Sequence, residues 1–488
     1  MTEKVQLEQV SALMQPMAVE NGVQRPLFSR EAALLSLELA SLAYTLEMEP
    51  WRNAGWQDVS YQVENKLLTG EEANGGDGGR FSGLFSEYKQ FMARFKAKSA
   101  NIVSQVLGTM RQRDASDTCK AVVMARKAED GRYLIAIGFM GTGTRMYDWI
   151  ANFRIASEEG LHKGCLQLTR HFEESLDAIV FNRTAAELGL EKLTLKDILL
   201  ECERPDSRFK LWLTGHSQGG AVMQIFAWRA VQRGLLRKNL IGYSFASPSV
   251  MYGESRADAG SIPLFHLMNR DDLVCRLGAN AHIGHCLCYH PTEEMRAACY
   301  GPAWQQLPFR QAMALLWRIR DNEDALLFLI AMIRALSALN DDETVQAVSA
   351  ILFRMLPERL TAALGGKMEH GLRFLRRYVE RMYYAAAGKR RLPQGQVKAL
   401  QQRIFHAMQE MGARQFVKYL LQAMGIPHRM RRKAAYGTVI PAYAYIAEQA
   451  ADSLQDVLSP QHPAARRQDR EALRMQRRRA YGRFGRRI

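Results

Sequence analysis

The stretch Leu211-Trp212-Leu213-Thr214-Gly215-His216-Ser217-Gln218-Gly219-Gly220-Ala221 starts as an apolar run, passes through a glycine-framed turn and continues into helix-forming residues. A continuous apolar run of this kind reads as a strand covered on both faces, hence as part of the interior of a parallel sheet. Between a strand and a helix, the pattern G-x-S-x-G holds its serine in a strained backbone turn, where only small neighbours let strand and helix approach. Ser217 is then presented at the C-terminal edge of the sheet, beside the positive end of the following helix, where developing negative charge is stabilised. These residue types point to nucleophilic acyl chemistry. Ser217 is the expected nucleophile, and the backbone N–H of Gln218 is one expected oxyanion donor.

Working outward, strand signals fall at Lys120–Ala125, Tyr133–Phe139, Phe209–Thr214, Leu240–Ser244 and Leu264–Met268, with helical patterns at Gly164–Val180 and Ala221–Arg233 between them. Strands alternating with helices predict an α/β fold with a mainly parallel sheet and flanking helices. Upstream, Phe28–Tyr44 has apolar residues at helical spacing after Ser29, a suitable N-cap. Past about Tyr300 the strand signals vanish and the chain reads as helix to its end, with turns at Gly365-Gly366, Leu392-Pro393 and Ile426-Pro427. The expected layout is an N-terminal extension (1–26), a core (27–300), a helical insertion or cap (301–385) and a basic helical C-terminal region (386–488).

Several further segments resemble one family. Phe139-Met140-Gly141-Thr142 followed by Asp148-Trp149-Ile150 resembles the F-R-G-T…D-W-I signature of the class 3 (fungal-type) lipases. Leu161–Leu166 is similar to that family's V-H-x-G-F segment, and Tyr243–Pro248 to its T-F-G-x-P segment. The resemblance runs in order from about Leu34 to Tyr289. It implies an α/β-hydrolase fold, a carboxyl-ester hydrolase of lipase or phospholipase type, an acyl-enzyme intermediate, Thr142 as the second oxyanion donor, and a short amphipathic lid within Thr144–Phe153. Met140 stands where the family has arginine, and Asn152 where aspartate is common, which bears on loop anchoring and lid geometry.

The resemblance also implies the acid. The family's N-x-x-D-x-V segment is matched by Asn269-Arg270-Asp271-Asp272-Leu273-Val274, with Asp272 in register and Asp271 beside it. The family's H-x-G segment, here His282-Ile283-Gly284, carries a structural histidine, and its base lies further downstream in an H-x-x-x-Y/F setting. His370, in Met368–Phe374 after Gly365-Gly366, fits that setting and is the expected base. His282, His285 and His428 are the alternatives, while His216 and His171 are set aside. His282, His285, Cys286, Cys288 and His290 together resemble a metal knuckle, but structural sites pair two knuckles across a longer loop. No metal or other cofactor is expected.

Composition narrows the remaining classes. An apolar fraction of 47% and a charged fraction of 24% over 488 residues are those of a globular chain. The first thirty residues lack a signal-peptide core, and the most apolar run, Ala325–Ile333, falls far short of the ~20 residues that span a bilayer. A cytoplasmic location and reduced thiols are expected from these features and from the odd, scattered set of seven cysteines. The net charge of +16 is concentrated at the end: ten arginines against Asp469 and Glu471 in Arg466–Arg487 supply half of it. Such a tail is a solvated helix or a contact for anionic membrane surfaces; no specific nucleic acid is expected, since no nucleic-acid motif accompanies it. The expected partner is a lipid or other acyl-ester substrate. The competing readings are a hydrolase-like scaffold without catalysis and a membrane-surface binding protein.

Overall fold

The computed structural model describes residues 10–58, 121–141, 158–251, 261–339 and 368–428, apart from a few short breaks, and the account that follows concerns these. The helices are α1 (Ser11–Met14), α2 (Arg30–Thr45), α3 (Glu49–Asn53), α4 (Glu158–Glu174), α5 (Leu195–Glu201), α6 (Gln218–Gln232), α7 (Glu293–Tyr300), α8 (Pro302–Gln305), α9 (Leu307–Leu316), α10 (Asn322–Leu336), α11 (Met368–Ala387), α12 (Gln394–Met411) and α13 (Ala413–His428). The strands are β1 (Ala18–Glu20), β2 (Val23–Arg25), β3 (Gln57–Asp58), β4 (Ala121–Lys127), β5 (Tyr133–Phe139), β6 (Phe209–His216), β7 (Leu240–Phe245), β8 (Leu264–Asn269) and β9 (His285–Tyr289).

β1 and β2 form a hairpin, and β3 to β9 form one sheet in sequence order, antiparallel from β3 to β5 and parallel from β5 to β9. The five strands expected from the sequence are present within a residue or two of their expected ends. β9 is an addition, because its residues His285-Cys286-Leu287-Cys288-Tyr289 lack the β-branched composition that marks a strand. Every residue of β6 is buried, as a central strand covered on both faces requires.

α2 covers one face. Ser29 caps it by accepting the Ala32 N–H at 3.2 Å, and Ser36 sets its register on the sheet: Trp212 Nε1 donates to Ser36 Oγ at 2.7 Å, and Thr214 Oγ1 donates to the Ser36 carbonyl at 3.0 Å. Trp51, Trp56, Trp212, Tyr243 and Phe265 fill the layer beneath. On the other face, α4 and α6 pack through Phe139, Phe172 and Phe226, and this core runs without a break into α9, α10 and α13 through Leu273, Leu277, Phe309 and Phe416. The C-terminal helices are therefore packed into the same apolar interior as the sheet. No described helix is long and apolar enough to cross a membrane. The basic tail from residue 429, the lid segment 144–153, Thr142 and the Gly365-Gly366 turn lie outside the described residues.

Candidate active site

The turn after β6 is the strained element anticipated for G-x-S-x-G. Ser217 has φ 56° and ψ −129°, a conformation that costs a non-glycine residue of order 1–3 kcal/mol and persists only where its surroundings over-determine it. Three contacts do so here. The Ser217 N–H donates to the Phe245 carbonyl at 2.9 Å, tying the turn to β7, and the Ser217 carbonyl accepts from the N–H groups of Gly220 and Ala221. A methyl group on Gly219 would collide with the Phe139 carbonyl at the end of β5, so only glycine lets α6 start this close to the sheet. Gln218 opens α6, which puts its amide among the first-turn donors that have no intrahelical acceptor.

Ser217 is 3% exposed, and its Oγ has no hydrogen-bond partner among the described residues. A buried hydroxyl left unpaired costs about 1–3 kcal/mol, and such exceptions in native folds call for an explanation, reactive sites among them. Gly141, on the segment leaving β5, stands against the turn: a methyl there would lie 2.6 Å from the His216 carbonyl and 3.3 Å from Ser217 Cβ. The end of β5 therefore flanks Ser217.

Asp272 lies in the turn after β8. It is fully buried; Oδ1 accepts the Val274 N–H at 2.9 Å, and Oδ2 faces His428 Nδ1 at 2.9 Å. Asp271 faces the opposite way, toward Arg296, Tyr300 and Trp317. With the Nδ1–H directed at Asp272, Nε2 of a neutral His428 holds a lone pair able to accept a proton. The His428 ring packs against His216, the neighbour of Ser217, at 4.7 Å between ring centres.

The expected base was His370, and here the geometry differs. His370 is in the first turn of α11, its side chain outside the described residues, and the imidazole that Asp272 holds is that of His428. The partner of the acid thus comes from the 386–488 region and not from the 301–385 insertion. The physical reason is packing. α13 lies against α7 and α9, and its last residue reaches the acid's turn, whereas α11 packs on α10. Past Asp272, chain order allows any later histidine, and the turn expected at Ile426-Pro427 is absent: Pro427 lies within α13, which carries the chain on to His428.

A directed chain of hydrogen bonds joins these parts. The Gly141 N–H donates to Tyr44 Oη at 3.1 Å, Tyr44 Oη lies 3.0 Å from His216 Nδ1, and His216 Nε2 lies 2.9 Å from the His428 carbonyl. A carbonyl only accepts, so Nε2 carries the His216 proton and Nδ1 accepts from the tyrosine. Burial pushes the His216 pKa down to about 3, with the neighbouring His428 adding to the effect, so its ring stays neutral and keeps this tautomer. Burial likewise pushes the Tyr44 phenol up, so it remains a donor. Sequence reasoning missed Tyr44 and set His216 aside; their only signal was position, at a helix end and beside the serine.

Two other histidines, His282 and His266, have structural partners. His282 Nε2 donates to the Ser247 carbonyl at 2.9 Å, and burial pushes its pKa down to about 4. His266 bridges Ser244 Oγ and the Ile283 carbonyl, each at 2.6 Å. His285, Cys286, Cys288 and His290 are drawn out along β9 and just beyond it, and among the described residues no three His, Cys, Asp or Glu side chains converge on a metal position.

Residues 136–281 match the family described as Lipase (class 3). Among solved structures, the chain is similar to a lipase from Rhizopus microsporus var. chinensis at 18% identity and a TM-score of 0.21, over 32% of this chain and 51% of that one, so it spans about half the length of that protein. It is also similar to M37 lipase at 17% identity and a TM-score of 0.28, over 56% of this chain and 69% of that one. No curated protein matches the sequence.

Proposed function

We propose that the class 3 lipase segment at residues 136–281, completed by a histidine from the C-terminal helices, makes this chain a serine carboxyl-ester hydrolase acting on acyl esters of lipids. The observation that carries the reading is the pairing of His428 Nδ1 with Asp272 Oδ2 beside a strained, buried and unpartnered Ser217 hydroxyl. In this mechanism Ser217 Oγ attacks the ester carbonyl while His428 Nε2 takes its proton, and Asp272 stabilises the imidazolium that forms. The tetrahedral oxyanion is met by the Gln218 N–H at the start of α6 and by Thr142. His428 then returns the proton to the departing alcohol, leaving an acyl-serine. Water, deprotonated by the same imidazole, attacks the acyl-serine and releases the carboxylic acid.

The test is covalent labelling by an alkyl fluorophosphonate, together with hydrolysis of a short p-nitrophenyl ester. Wild type labels at one site and turns over the ester. Ser217→Ala, which removes only the oxygen, loses both while keeping its far-UV circular dichroism. Ester hydrolysis by a folded Ser217→Ala variant above about one hundredth of the wild-type rate would refute the assignment.

A further inference from the structure

The turn that presents Asp272 carries three polar attachments to the C-terminal helices, and the strongest is made by the adjacent aspartate. Asp271 is 1% exposed, and both its oxygens are filled. Oδ2 accepts from Arg296 Nε at 2.8 Å and Tyr300 Oη at 2.6 Å; Oδ1 accepts from Arg296 Nη2 and Trp317 Nε1, each at 3.0 Å. The Arg296 guanidinium lies over the rings of Trp304, at 5.4 Å, and Trp317, at 4.6 Å, so two adjacent aromatic rings pack on the cation that the carboxylate holds along its edge. Five residues further on, Arg276 Nη1 donates to the Ile319 carbonyl at 2.6 Å beyond the end of α9. Gly278 and Asn322, at the start of α10, exchange two hydrogen bonds of 3.2 and 2.6 Å.

These donors sit on α7 and at the ends of α9 and α10, and α13 packs on α9, α12 and α7. Consecutive aspartates in one turn thus face opposite ways, Asp272 to the imidazole at the end of α13 and Asp271 to the helices that support α13. The turn is rigid between them: Asn269 accepts the Asp271 N–H on Oδ1 and the Asp272 N–H on its carbonyl, both at 2.9 Å. We propose that Asp271 is a positioning residue, the latch that holds the C-terminal helices, and with them His428, in register with Asp272. The inference rests on the reading of Ser217, His428 and Asp272 as a triad. A displacement of an ångström at a reacting group costs about a hundredfold in rate, so a loosened latch is read in turnover before it is read in unfolding.

The experiment compares full-length Asp271→Asn, Trp317→Phe and Glu173→Gln. Glu173 is the control, because its hydrogen bonds go to Arg229 and Arg233 and join α4 to α6. The measurements are kcat and KM on a soluble p-nitrophenyl ester, the rate of Ser217 labelling by an alkyl fluorophosphonate, and the melting midpoint. Well below its midpoint, Asp271→Asn lowers kcat and labelling rate together by about tenfold to a hundredfold, with KM changed by less than about threefold. Trp317→Phe, which keeps the charge and removes one donor, lowers both by roughly threefold. Glu173→Gln lowers the midpoint and leaves both rates at wild type. Wild-type kcat and labelling in folded Asp271→Asn and Trp317→Phe would overturn the latch, as would an equal loss in Glu173→Gln. If Asp271→Asn does not fold, Trp317→Phe decides alone. Ester hydrolysis surviving in Ser217→Ala would instead overturn the triad reading beneath it, which separates the two failures.

Discussion

The sheet and the C-terminal helices meet at the turn between β8 and β9, and they contribute to the site in different ways. The sheet supplies Ser217 and Asp272 from turns at strand ends, each within a few residues of the strand that aims it. The helices supply one imidazole, 156 residues after Asp272, from the last position of α13. A turn between strand and helix is restricted by local sterics, so few sequences satisfy it and those that do are recognisable. The last residue of a helix is placed by everything the helix packs against. The comparison teaches that the strained serine turn is written locally, while the imidazole that meets Asp272 is delivered by a whole packed layer.

The sharpest way to break this comparison is at the two histidines. His428→Gln lowers kcat/KM on a soluble ester by about 10³–10⁴-fold while the fold persists, because triad members act as a unit; His370→Gln stays within about twofold. Steady-state kinetics on the two variants decides, and the inverse pattern would return the base to α11.

A second measurement asks whether the helices are a separate body. Phe309 is completely buried in the core shared by sheet and helices, so Phe309→Ala costs about 3–5 kcal/mol. Denaturant unfolding followed by near-UV and far-UV circular dichroism then shifts as one transition. Two transitions, with only one of them displaced, would mark the helices as independent.

Tyr44 sharpens the comparison at the seam, since its hydroxyl links the oxyanion segment to His216. Tyr44→Phe leaves the buried Gly141 N–H without its acceptor, at about 1–3 kcal/mol, and lowers kcat roughly tenfold with little change in KM. A change confined to KM would remove Tyr44 from the positioning of the site.

The smallest effect is in acid. Burial holds His216 at about 3 and His266 well below the ordinary value near 6.5, so on titration below 6.5 the unfolded chain takes up protons that the folded one refuses. Stability is therefore flat above pH 6.5 with respect to these groups and is lost as pH falls from 6.5 toward 3. His266→Gln removes about 1 kcal/mol per pH unit of that slope, measured as the denaturation midpoint against pH. An unchanged slope would show that His266 is protonated in the fold.

Much of this was legible in advance, for identifiable reasons. β5, β6 and β7 are apolar runs bounded by turn residues, and α2 shows both its cap and its period, so composition and spacing were enough. β9 was not legible, because a His- and Cys-rich segment gives no strand signal and becomes one only by pairing with β8. Asp272 was found through its segment Asn269–Val274, but nothing in that segment shows that Asp271 faces away into a pocket of Arg296, Tyr300 and Trp317. His370 fits the H-x-x-x-Y/F setting that the resemblance implies, after a glycine turn, and that local signal carries no information about where the following helix packs.

The sequence by itself determined five strands of the sheet, the strained turn at Ser217, the glycines that make the turn possible and the segment that bears Asp272. Each depends on sterics and hydrophobic period within about ten residues. Only the tertiary structure decided which histidine meets Asp272, which aspartate anchors the helices, and that Tyr44 and His216 tie the oxyanion segment to the base. Those pairings join residues 25 to 212 positions apart, and they arise from the burial of a continuous apolar core whose geometry no local window contains.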